Sequence, residues 1–472
     1  MERPHVVMLS APGQGHINPM LKLADILHSK GFFITFVTTD HTHQKVLASQ
    51  GPDALQGFVG FRFEIIPDGV SLPSSGSQEH VVKWCLVTYE NCVAPFKDLL
   101  MRLNNSTGVP KITCVVYNWL MTFALHVAEE LRIPAFVFMT MSACGFIGSL
   151  YLDDLIQRGY TPLKDESQLT NGYLDTPVDF LPGLKDIRLR DLPSFIRTVD
   201  ADGLIFKFGK VASEKCLEAK GLILNTFDLL ETDVLNVLNS MFQKVYTIGP
   251  LLSHIVTGPT KSLCLNLWKE EDHGYMEWLD QQRPSSVIYV NFGSLITITT
   301  EELIEFAWGL ANSNHPFLWV IRPDLVEGHC DILPKGFIDK TKDRSYLLSW
   351  CAQEEVISHN SIGGFLTHCG WNSTLESVNS GVPMICWPRF DDQCTNARYI
   401  CKQWGTGIEI DEDVQREQVT GKLKELMEGD KGKEMRKNVI HWKQRAKSAT
   451  IQGGSSYENI VRLTMDITRI FS

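Results

Sequence analysis

The stretch from Trp350 to Gln393 reads WCAQEEVISHNSIGGFLTHCGWNSTLESVNSGVPMICWPRFDDQ. Its apolar run from Ile362 to Leu366 is typical of a buried strand, and this run stops at a turn with the sequence THCG. The residues that follow, Trp371 to Glu376, have the signature of a helix start with a carboxylate in the first turn. The sequence therefore predicts a strand that leads into a helix N-terminus, as in a parallel α/β sheet.

A helix that starts in this way is a favourable place for an anion. Its first backbone N–H groups have no partners inside the helix, and the helix dipole is positive at this end. Asn372 and Ser373 add side-chain donors, and His368 lies in the turn. Glu376 does not favour a phosphate and is better suited to accept hydrogen bonds from sugar hydroxyls. Asn372 and Ser373 alone are ordinary helix-capping residues, and the joint spacing is what favours a diphosphate site.

Further polar and aromatic groups flank this strand and helix. An aromatic plane at Trp350 and an amide at Gln353 precede the strand. A second predicted strand, Val382 to Trp387, is followed by Asp392 and Gln393, whose side chains suit a polyhydroxylated ring. The order suggests a base, a ribose, a diphosphate and a sugar in one line.

In length, order and spacing this stretch resembles the signature box of plant family 1 UDP-glycosyltransferases, and the resemblance spans essentially the whole chain. It implies the GT-B fold, an α/β arrangement in which two doubly wound Rossmann-like domains face each other across a cleft. The chain most resembles members that glucosylate terpenoids, iridoids and related small alcohols or acids. The implied partners are a UDP-sugar donor and a small lipophilic acceptor, with UDP-glucose as co-substrate, no metal and no other cofactor.

The resemblance also implies a role for individual residues of the donor site. Trp350 is implied to contact uracil, and Gln353 and Glu376 are implied to contact the ribose. The residues implied to contact the phosphates are Ser294, His368, Asn372 and Ser373. Those implied to contact the transferred sugar are Thr140, Trp371, Asp392 and Gln393, and Ala352 is also counted among the residues that bind the UDP-sugar. Gln393 resembles the residue of members that prefer glucose. Thr140 and Ser294 are also explained as ordinary strand-end residues.

A second group of residues, PGQGHINP from Pro12 to Pro19, follows the first predicted strand. Gly13 and Gly15 allow a sharp turn, so His16 is expected at the head of the first helix and at the carboxyl edge of the sheet. An imidazole there can take a proton from an acceptor hydroxyl near neutral pH, and the family places its general base at this histidine. A simple turn histidine explains the stretch equally well.

The two glycines also begin a dinucleotide fingerprint, which favours a different class of enzyme. Asp40, at the end of the second predicted strand, is placed to bind a ribose in a nicotinamide or flavin oxidoreductase. Asn18 stands where the third glycine of that fingerprint belongs, so the match is weak. The transferase interpretation is preferred.

Asn118 departs from the pattern of the resembled family, in which a carboxylate at this position usually orients the histidine. We expect the Asn118 oxygen to accept the imidazole N–H of His16 and hold the ring, without the negative charge that stabilises an imidazolium. Three explanations stay open: an acidic acceptor such as a phenol, enol or carboxylic acid, a substitute carboxylate, or a donor-binding protein that transfers poorly. Carbon-linked transfer to a phenolic acceptor is a further alternative.

The predicted reaction is a direct displacement at the anomeric carbon. His16 removes the proton of an acceptor hydroxyl or carboxyl group, the oxygen attacks opposite UDP, and the α-linked donor gives a β-glucoside. The residues of a lipophilic acceptor pocket are harder to predict, since each candidate is individually a plausible core residue. The candidates are Trp84, Tyr89, Trp119, Phe123, Met139, Phe146 and Phe195.

A chain of 472 residues is too long for one core and predicts two domains. Residues 1–250 are expected to form an acceptor-binding domain and residues 251–455 a UDP-sugar-binding domain, both Rossmann-like. By family analogy, a last helix within 456–472 packs back on the first domain. The predicted strands are 5–10, 32–38, 61–66, 112–117, 135–140, 222–225, 287–292, 317–321, 362–366 and 384–387.

Charge and cysteine usage exclude other classes of protein. The net charge of −11 argues against a nucleic-acid surface, and the basic stretch Lys431 to Lys447 is predicted to be a solvated helix face. The 12 cysteines have no metal-like spacing and predict free thiols in a reducing compartment. We expect no signal peptide and no membrane span, hence a cytoplasmic protein. A monomer is expected. Arg389 and Asp391 are expected to pair with each other or to steer an anionic acceptor.

Overall fold

A computed structural model describes residues 3–69, 78–253, 264–270, 274–326 and 333–471. The strands are β1 (His5–Leu9), β2 (Phe33–Thr39), β3 (Phe61–Ile66), β4 (Ile112–Asn118), β5 (Ala135–Met139), β6 (Leu222–Leu224), β7 (Val245–Thr247), β8 (Val287–Asn291), β9 (Phe317–Val320), β10 (Ser345–Leu348), β11 (Ile362–Thr367), β12 (Met384–Cys386) and β13 (Gly407–Glu409).

The α-helices alternate with these strands along most of the chain. They are α1 (Gln14–Ser29), α2 (Asp40–Gln50), α3 (Gln78–Asn91), α4 (Val93–Asn105), α5 (Phe123–Glu130), α6 (Ala143–Leu150), α7 (Leu152–Gln157), α8 (Leu204–Cys216), α9 (Thr232–Met241), α10 (Gly274–Asp280), α11 (Thr300–Ser313), α12 (Phe337–Thr341), α13 (Gln353–Ser358), α14 (Trp371–Ser380), α15 (Gln393–Arg398), α16 (Arg416–Glu428), α17 (Asp430–Thr450) and α18 (Ser455–Phe471). No helix of the described ranges is both long enough and apolar enough to cross a bilayer.

The chain divides into two compact units. The first takes the described residues of Met1–Pro73, Val82–Trp268 and Ala446–Ser472, and the second takes those of Ser74–Val81 and Lys269–Arg445. The first unit contains a parallel sheet with the strand order β3-β2-β1-β4-β5-β6-β7. The second contains a parallel sheet with the order β10-β9-β8-β11-β12-β13. Both orders run outward in two directions from a central pair of strands, as in a doubly wound sheet.

The central pairs matter because ligands of such sheets bind where the strand order reverses, beyond the carboxyl ends of the strands. In the first unit the reversal lies between β1 and β4, so it brings the β1–α1 turn next to the end of β4. In the second unit it lies between β8 and β11, so it brings the segment after β8 next to the β11–α14 turn. The topology thus selects the same segments that the sequence singles out for chemistry.

Each sheet has its own hydrophobic core. In the first unit, side chains of β1, β2, β4, β5 and α1 pack with Ile460, Leu463 and Ile467 of α18. In α18, Asp466 accepts a 2.7 Å hydrogen bond from the Tyr246 hydroxyl, and Ser456 donates one of 2.6 Å to the Gly249 carbonyl. The last helix is therefore anchored on the first sheet by both apolar and polar contacts.

The predicted strands are confirmed to within two residues at their ends, and three short strands, β7, β10 and β13, were missed. The predicted helix over Lys431 to Lys447 lies inside α17. The cysteines whose side chains are described are free thiols.

His5 begins β1 and is fully buried. Its Nδ1 is 2.8 Å from the Pro110 carbonyl oxygen, so this nitrogen carries the proton, and its Nε2 accepts from the Thr35 hydroxyl at 2.8 Å. Burial lowers the pKa of His5 to about 4, below the 6.5 of an unfolded histidine. The unfolded chain therefore binds a proton first as the pH falls, and the contribution of this neutral ring to stability is lost between about pH 6.5 and 4.

We expect a His5→Asn variant to melt at a lower temperature than the natural protein at pH 7.5. Because the variant has no ring to protonate, the difference between the two melting temperatures should shrink at pH 5, as the natural protein loses the stability of its neutral ring. Thermal unfolding followed by circular dichroism at both pH values measures this difference. A difference that grows on acidification would contradict the assignment of a neutral His5.

Candidate active site

The turn between β1 and α1 places His16 at the carboxyl edge of the first sheet. Gly13 precedes the helix with φ 148°, a conformation that favours glycine. A Cβ atom at Gly13 would also lie 3.3 Å from Cδ2 of His16, so the absence of a side chain lets the ring fold back over the turn. His16 is only partly exposed as a result.

His16 forms a compact polar triangle with the residues at the ends of two neighbouring strands. Asn118 is the last residue of β4, and Thr140 follows the end of β5. Nδ1 of His16 is 2.7 Å from the Thr140 hydroxyl oxygen and 3.3 Å from Nδ2 of Asn118. Nδ2 of Asn118 also donates to the Thr140 hydroxyl at 3.2 Å. The structure thus brings together three residues that the sequence predicts for the site.

The orientation of the Asn118 amide differs from the predicted one. The backbone N–H of Leu120 donates to Oδ1 of Asn118 at 3.1 Å, and an N–H can only face an acceptor, so the oxygen must lie on that side. The amide NH₂ group therefore faces His16. The prediction that the Asn118 oxygen accepts the imidazole N–H is wrong, because this oxygen already holds the turn after β4.

The surroundings keep His16 neutral. Burial lowers the pKa of the ring to about 4, and its hydrogen-bonding neighbours Asn118 and Thr140 are both uncharged. Within the described residues no carboxylate forms a hydrogen bond to this ring, so nothing here supports a substitute for the missing acid. His16 has the protonation state of a base at pH 7, and which of its nitrogens carries the proton depends on Thr140.

The strand-turn-helix unit that the sequence predicts is present as β11 and α14. Gly370 precedes the helix and has no side chain to cap it, and the first intrahelical bond runs from Thr374 N–H to the Gly370 carbonyl at 3.0 Å. The N–H groups of Trp371, Asn372 and Ser373 therefore precede the first intrahelical donor, the Thr374 N–H, and point out of the helix end. Glu376 lies in the second turn, so the predicted first-turn carboxylate is wrong, and no acid opposes an anion there.

His368 lies in the turn before α14 and fits between two glycines. A Cβ atom at Gly293 would be 2.5 Å from the ring, and one at Gly370 would be 2.4 Å from its Nε2. Burial, with a smaller contribution from the Arg322 charge, lowers the pKa of His368 to about 4 against an opposing contribution from the Asn291 backbone. The neutral ring can donate an N–H to a phosphate oxygen, and it does not bring a positive charge.

Gln353, at the start of α13, is the centre of a hydrogen-bond network on the second sheet. Its Oε1 accepts from the Tyr289 hydroxyl at 3.1 Å and from Nδ2 of Asn291 at 2.7 Å. Its Nε2 donates to Oε2 of Glu376 at 2.6 Å and to the Ser373 hydroxyl at 2.9 Å. Both ends of the amide are thus used inside the protein, and they fix the position of the Glu376 carboxylate.

Tyr289 and Asn291 were missed by the sequence analysis. Their spacing of two places both on one face of β8, which is the signal that identifies them. Asn291 also accepts from the Gly293 N–H at 2.9 Å, and Gly293 has φ +77°. The strand therefore shapes the segment that leads to Ser294, which lies just beyond it with its side chain partly exposed.

Gln393 begins α15, and its amide is held in one orientation. Its Oε1 accepts from the backbone N–H groups of Arg389 and Phe390, both at 3.0 Å. In the described part of the chain its Nε2 makes no hydrogen bond. The residue therefore presents donors to a ligand, which suits the oxygen atoms of a sugar. Asp392, directly before it, accepts from Nδ2 of Asn396 at 3.1 Å.

The expected pairing of Arg389 with Asp391 is wrong. Arg389 forms an ion pair with Glu302 of α11 at 3.0 Å, and its guanidinium carbon lies 4.7 Å from the centre of the Trp387 ring. Asp391 is next to Asp392, and burial raises its pKa well above the usual value. The arginine thus holds the loop after β12 and has a partner of its own.

The remaining predicted donor residues occupy the same edge of the second sheet. Trp350 and Ala352 lie between β10 and α13, and the Ala352 N–H donates to the Tyr275 hydroxyl at 3.3 Å. The Trp371 indole is 3% exposed and packs beside Trp404 with ring centres 6.2 Å apart. Only the backbone of Trp371 is therefore well placed for a ligand.

The aromatic and methionine candidates for an acceptor pocket separate into two groups. One group is buried in the first unit and consists of Trp119, Phe123, Met139 and Phe146. The other is partly exposed and consists of Trp84, Tyr89 and Phe195. The two groups are in contact at one point, where the Tyr89 ring packs edge-on against the Phe123 ring with ring centres 5.5 Å apart.

Comparisons with known proteins agree with this geometry. Residues 264–449 match the family described as UDP-glucoronosyl and UDP-glucosyl transferase. The chain is 50% identical to a 7-deoxyloganetin glucosyltransferase of Gardenia jasminoides over 98% of its length and 97% of the relative. It is 48% identical to a (R)-mandelonitrile beta-glucosyltransferase of Prunus dulcis, over 98% of its length and 97% of the relative.

The fold agrees as well. The structure of Os79 from O. sativa in complex with UDP superposes with a TM-score of 0.82 and 27% identity, covering 98% of this chain and 100% of that one. The fold is thus of the predicted GT-B class. The chain belongs to the UDP-glycosyltransferase family.

Proposed function

We propose that this protein transfers glucose from UDP-glucose to a hydroxyl or carboxyl group of a small lipophilic plant metabolite and gives a β-glucoside. The observation that carries this proposal is the uncapped start of α14 beside the neutral His368 and the fixed carboxylate of Glu376. A diphosphate joined to a ribose needs an anion site, a neutral hydrogen-bond donor for a phosphate oxygen and an acceptor for the ribose hydroxyl protons. The helix start, His368 and Glu376 supply these three in turn. The second unit is proposed to bind the donor and the first to bind the acceptor.

The diphosphate is proposed to bind at the N–H groups of Asn372 and Ser373, with His368 and Ser294 beside it. Charge that develops on the leaving phosphate is stabilised there by the helix end, with no reorganisation of the site. Because the helix end and these side chains cover the phosphates, the proposal requires no metal for this step. Trp350 is proposed to stack on uracil.

The ribose and glucose are proposed to bind at the two fixed polar groups. Glu376 has room for further hydrogen bonds beyond that from Gln353, because a carboxylate accepts about four. It is proposed to accept from the ribose hydroxyls, while Gln353 holds it in place. Gln393 donates to glucose oxygens through Nε2, Asp392 accepts from a glucose hydroxyl, and Trp371 contributes its backbone N–H.

His16 is proposed to be the general base for the acceptor. Its neutral ring takes the proton of the acceptor oxygen as this oxygen attacks the anomeric carbon, on the side opposite UDP. The uncharged Asn118 gives little stabilisation to the imidazolium that forms. An acceptor with an acidic O–H group is favoured for this reason, and slow transfer from a tightly bound donor is the second candidate function.

The free thiols of the described cysteines suit a reducing compartment, and we place the reaction in the cytoplasm.

The test is to incubate the protein with UDP-glucose and a panel of phenols, terpenols, carboxylic acids, 7-deoxyloganetin and mandelonitrile. Mass spectrometry should show the gain of one hexose on at least one acceptor, and UDP release should depend on that acceptor. A parallel reaction with EDTA should proceed at the same rate. Binding of UDP with no hexose gain on any acceptor would favour the second candidate, and absence of UDP binding would overturn both.

A further inference from the structure

We propose that Thr140 sets the tautomer of His16, in the place of the missing carboxylate, and does so when the transferred sugar accepts the hydroxyl proton of Thr140. This inference rests on the proposed function and assigns Thr140 a second role besides contact with the sugar. It is a positioning role, because Thr140 acts on the reaction through His16.

The Asn118 amide is fixed in one orientation. Oδ1 of Asn118 is held by the Leu120 N–H, and the NH₂ group faces both Nδ1 of His16 and the Thr140 hydroxyl. An amide NH₂ can donate and cannot accept. Asn118 therefore cannot receive the N–H of His16 Nδ1, which is the interaction that would leave Nε2 free as the base.

The Thr140 hydroxyl donates its proton to His16 in the free protein. This hydroxyl lies 2.7 Å from Nδ1 of His16 and 3.2 Å from Nδ2 of Asn118. Since Nδ2 is a donor, Nδ1 of His16 is the acceptor for this proton among the described residues. A hydroxyl that donates to Nδ1 requires the ring proton to be on Nε2. In that tautomer the lone pair of the ring is on Nδ1, where Thr140 uses it, and Nε2 cannot take the proton of the acceptor.

A bound sugar changes the hydrogen-bond partner of the Thr140 hydroxyl. When a sugar oxygen accepts the Thr140 proton, the Thr140 oxygen keeps two lone pairs, and it can accept from Asn118 and from an N–H at His16 Nδ1. The ring then loses a proton from Nε2 to solvent and gains one from solvent at Nδ1, so its net charge does not change. Nε2 becomes the base. A carboxylate at position 118 would hold the Nδ1-protonated tautomer of His16 at all times. With Asn118 and Thr140, this tautomer forms only when the UDP-sugar is bound.

A double-mutant cycle separates this role from simple sugar contact. Thr140→Val keeps the shape of the side chain and removes the hydroxyl, and in the natural background it should lower kcat by about 10² or more, as expected when a base is held in the wrong tautomer. In an Asn118→Asp background the carboxylate accepts the Nδ1 proton, so the same change should cost less than about tenfold. Thr140→Ser, which keeps the hydroxyl, should lose less than Thr140→Val.

Nitrogen-15 NMR of histidine-labelled protein reads the tautomer directly. The His16 signals are assigned with a His16→Gln variant. In the free protein Nε2 should be protonated, and addition of UDP-2-fluoroglucose should move the proton to Nδ1. In Thr140→Val protein this change should be absent, and in Asn118→Asp protein Nδ1 should be protonated before the ligand is added.

The results that overturn the inference differ from those that overturn the proposed function. An equal loss from Thr140→Val in both backgrounds would show that the hydroxyl serves only the sugar contact or the fold, and the inference would be rejected. A His16 tautomer that is the same with and without UDP-2-fluoroglucose would also reject it. Natural protein that binds UDP and transfers to no acceptor would reject the proposed function, and the NMR measurement would then still decide the tautomer.

Discussion

Replacement of His16 by alanine should lower kcat by about three orders of magnitude, which lies within the range of 10² to 10⁴ that a positioned general base contributes. The change removes the ring at the β1–α1 turn, while Asn118 and Thr140 remain and neither can take a proton at neutral pH. The Kd for UDP should be unchanged, because the groups proposed to bind it belong to the second unit. Initial rates with the best acceptor of the panel, together with calorimetry for UDP, measure both quantities.

His126→Ala is the matched control for this prediction. His126 belongs to the same unit, its side chain is 71% exposed, and its contact with Glu130 lies on the surface of α5, where such pairs contribute little to stability. This variant should keep the natural rate within about twofold, as surface substitutions usually do. A loss of less than tenfold in His16→Ala would mean that the acceptor ionises without help, and His16 would then be a turn residue, as its local sequence also allows.

The sequence predicts those parts of the site that follow from strand order and local chain direction. A strand that ends in a turn and leads into a helix identifies the β1–α1 and β11–α14 turns, and parallel pairing brings such turns to the same edge of a sheet. This is why His16 and His368 could be placed correctly from residues that lie within a few positions of each.

The sequence does not reveal which atom of a side chain faces which neighbour. The Asn118 amide is turned by the Leu120 N–H, and the resemblance alone suggests the opposite orientation. The partner of Arg389 is Glu302, which lies far from it in the sequence, and no local pattern links the two. Strands of three residues carry little periodic signal, and of the four in this chain that the structure describes β6 and β12 were predicted while β7 and β13 were missed. These features depend on packing at a distance.

Replacement of Glu376 by glutamine should weaken UDP binding by roughly ten- to a hundredfold, since loss of a hydrogen bond to a charged group costs about 1–3 kcal/mol. Gln353 is turned by Tyr289 and Asn291 so that its NH₂ group faces position 376. The new amide must therefore turn its own oxygen towards Gln353, and its NH₂ group is left on the side proposed for the ribose. The variant thus presents a neutral NH₂ group, which can only donate, where the natural protein presents the charged carboxylate of Glu376, which accepts the protons of the ribose hydroxyls.

Calorimetry with UDP and with UDP-glucose distinguishes a role in ligand binding from a role in the fold. Both ligands contain the ribose, so both should lose affinity by the same factor in Glu376→Gln, whereas loss of a glucose contact would weaken only UDP-glucose. Glu428→Gln is the control, because the Glu428 side chain is 67% exposed and lies at the end of α16. If UDP affinity changes by less than about threefold while the melting temperature falls, the carboxylate serves to hold Gln353. The ribose would then have to be bound by another acceptor of the second unit, and the position of Glu376 beside the α14 helix start would no longer support a nucleotide site.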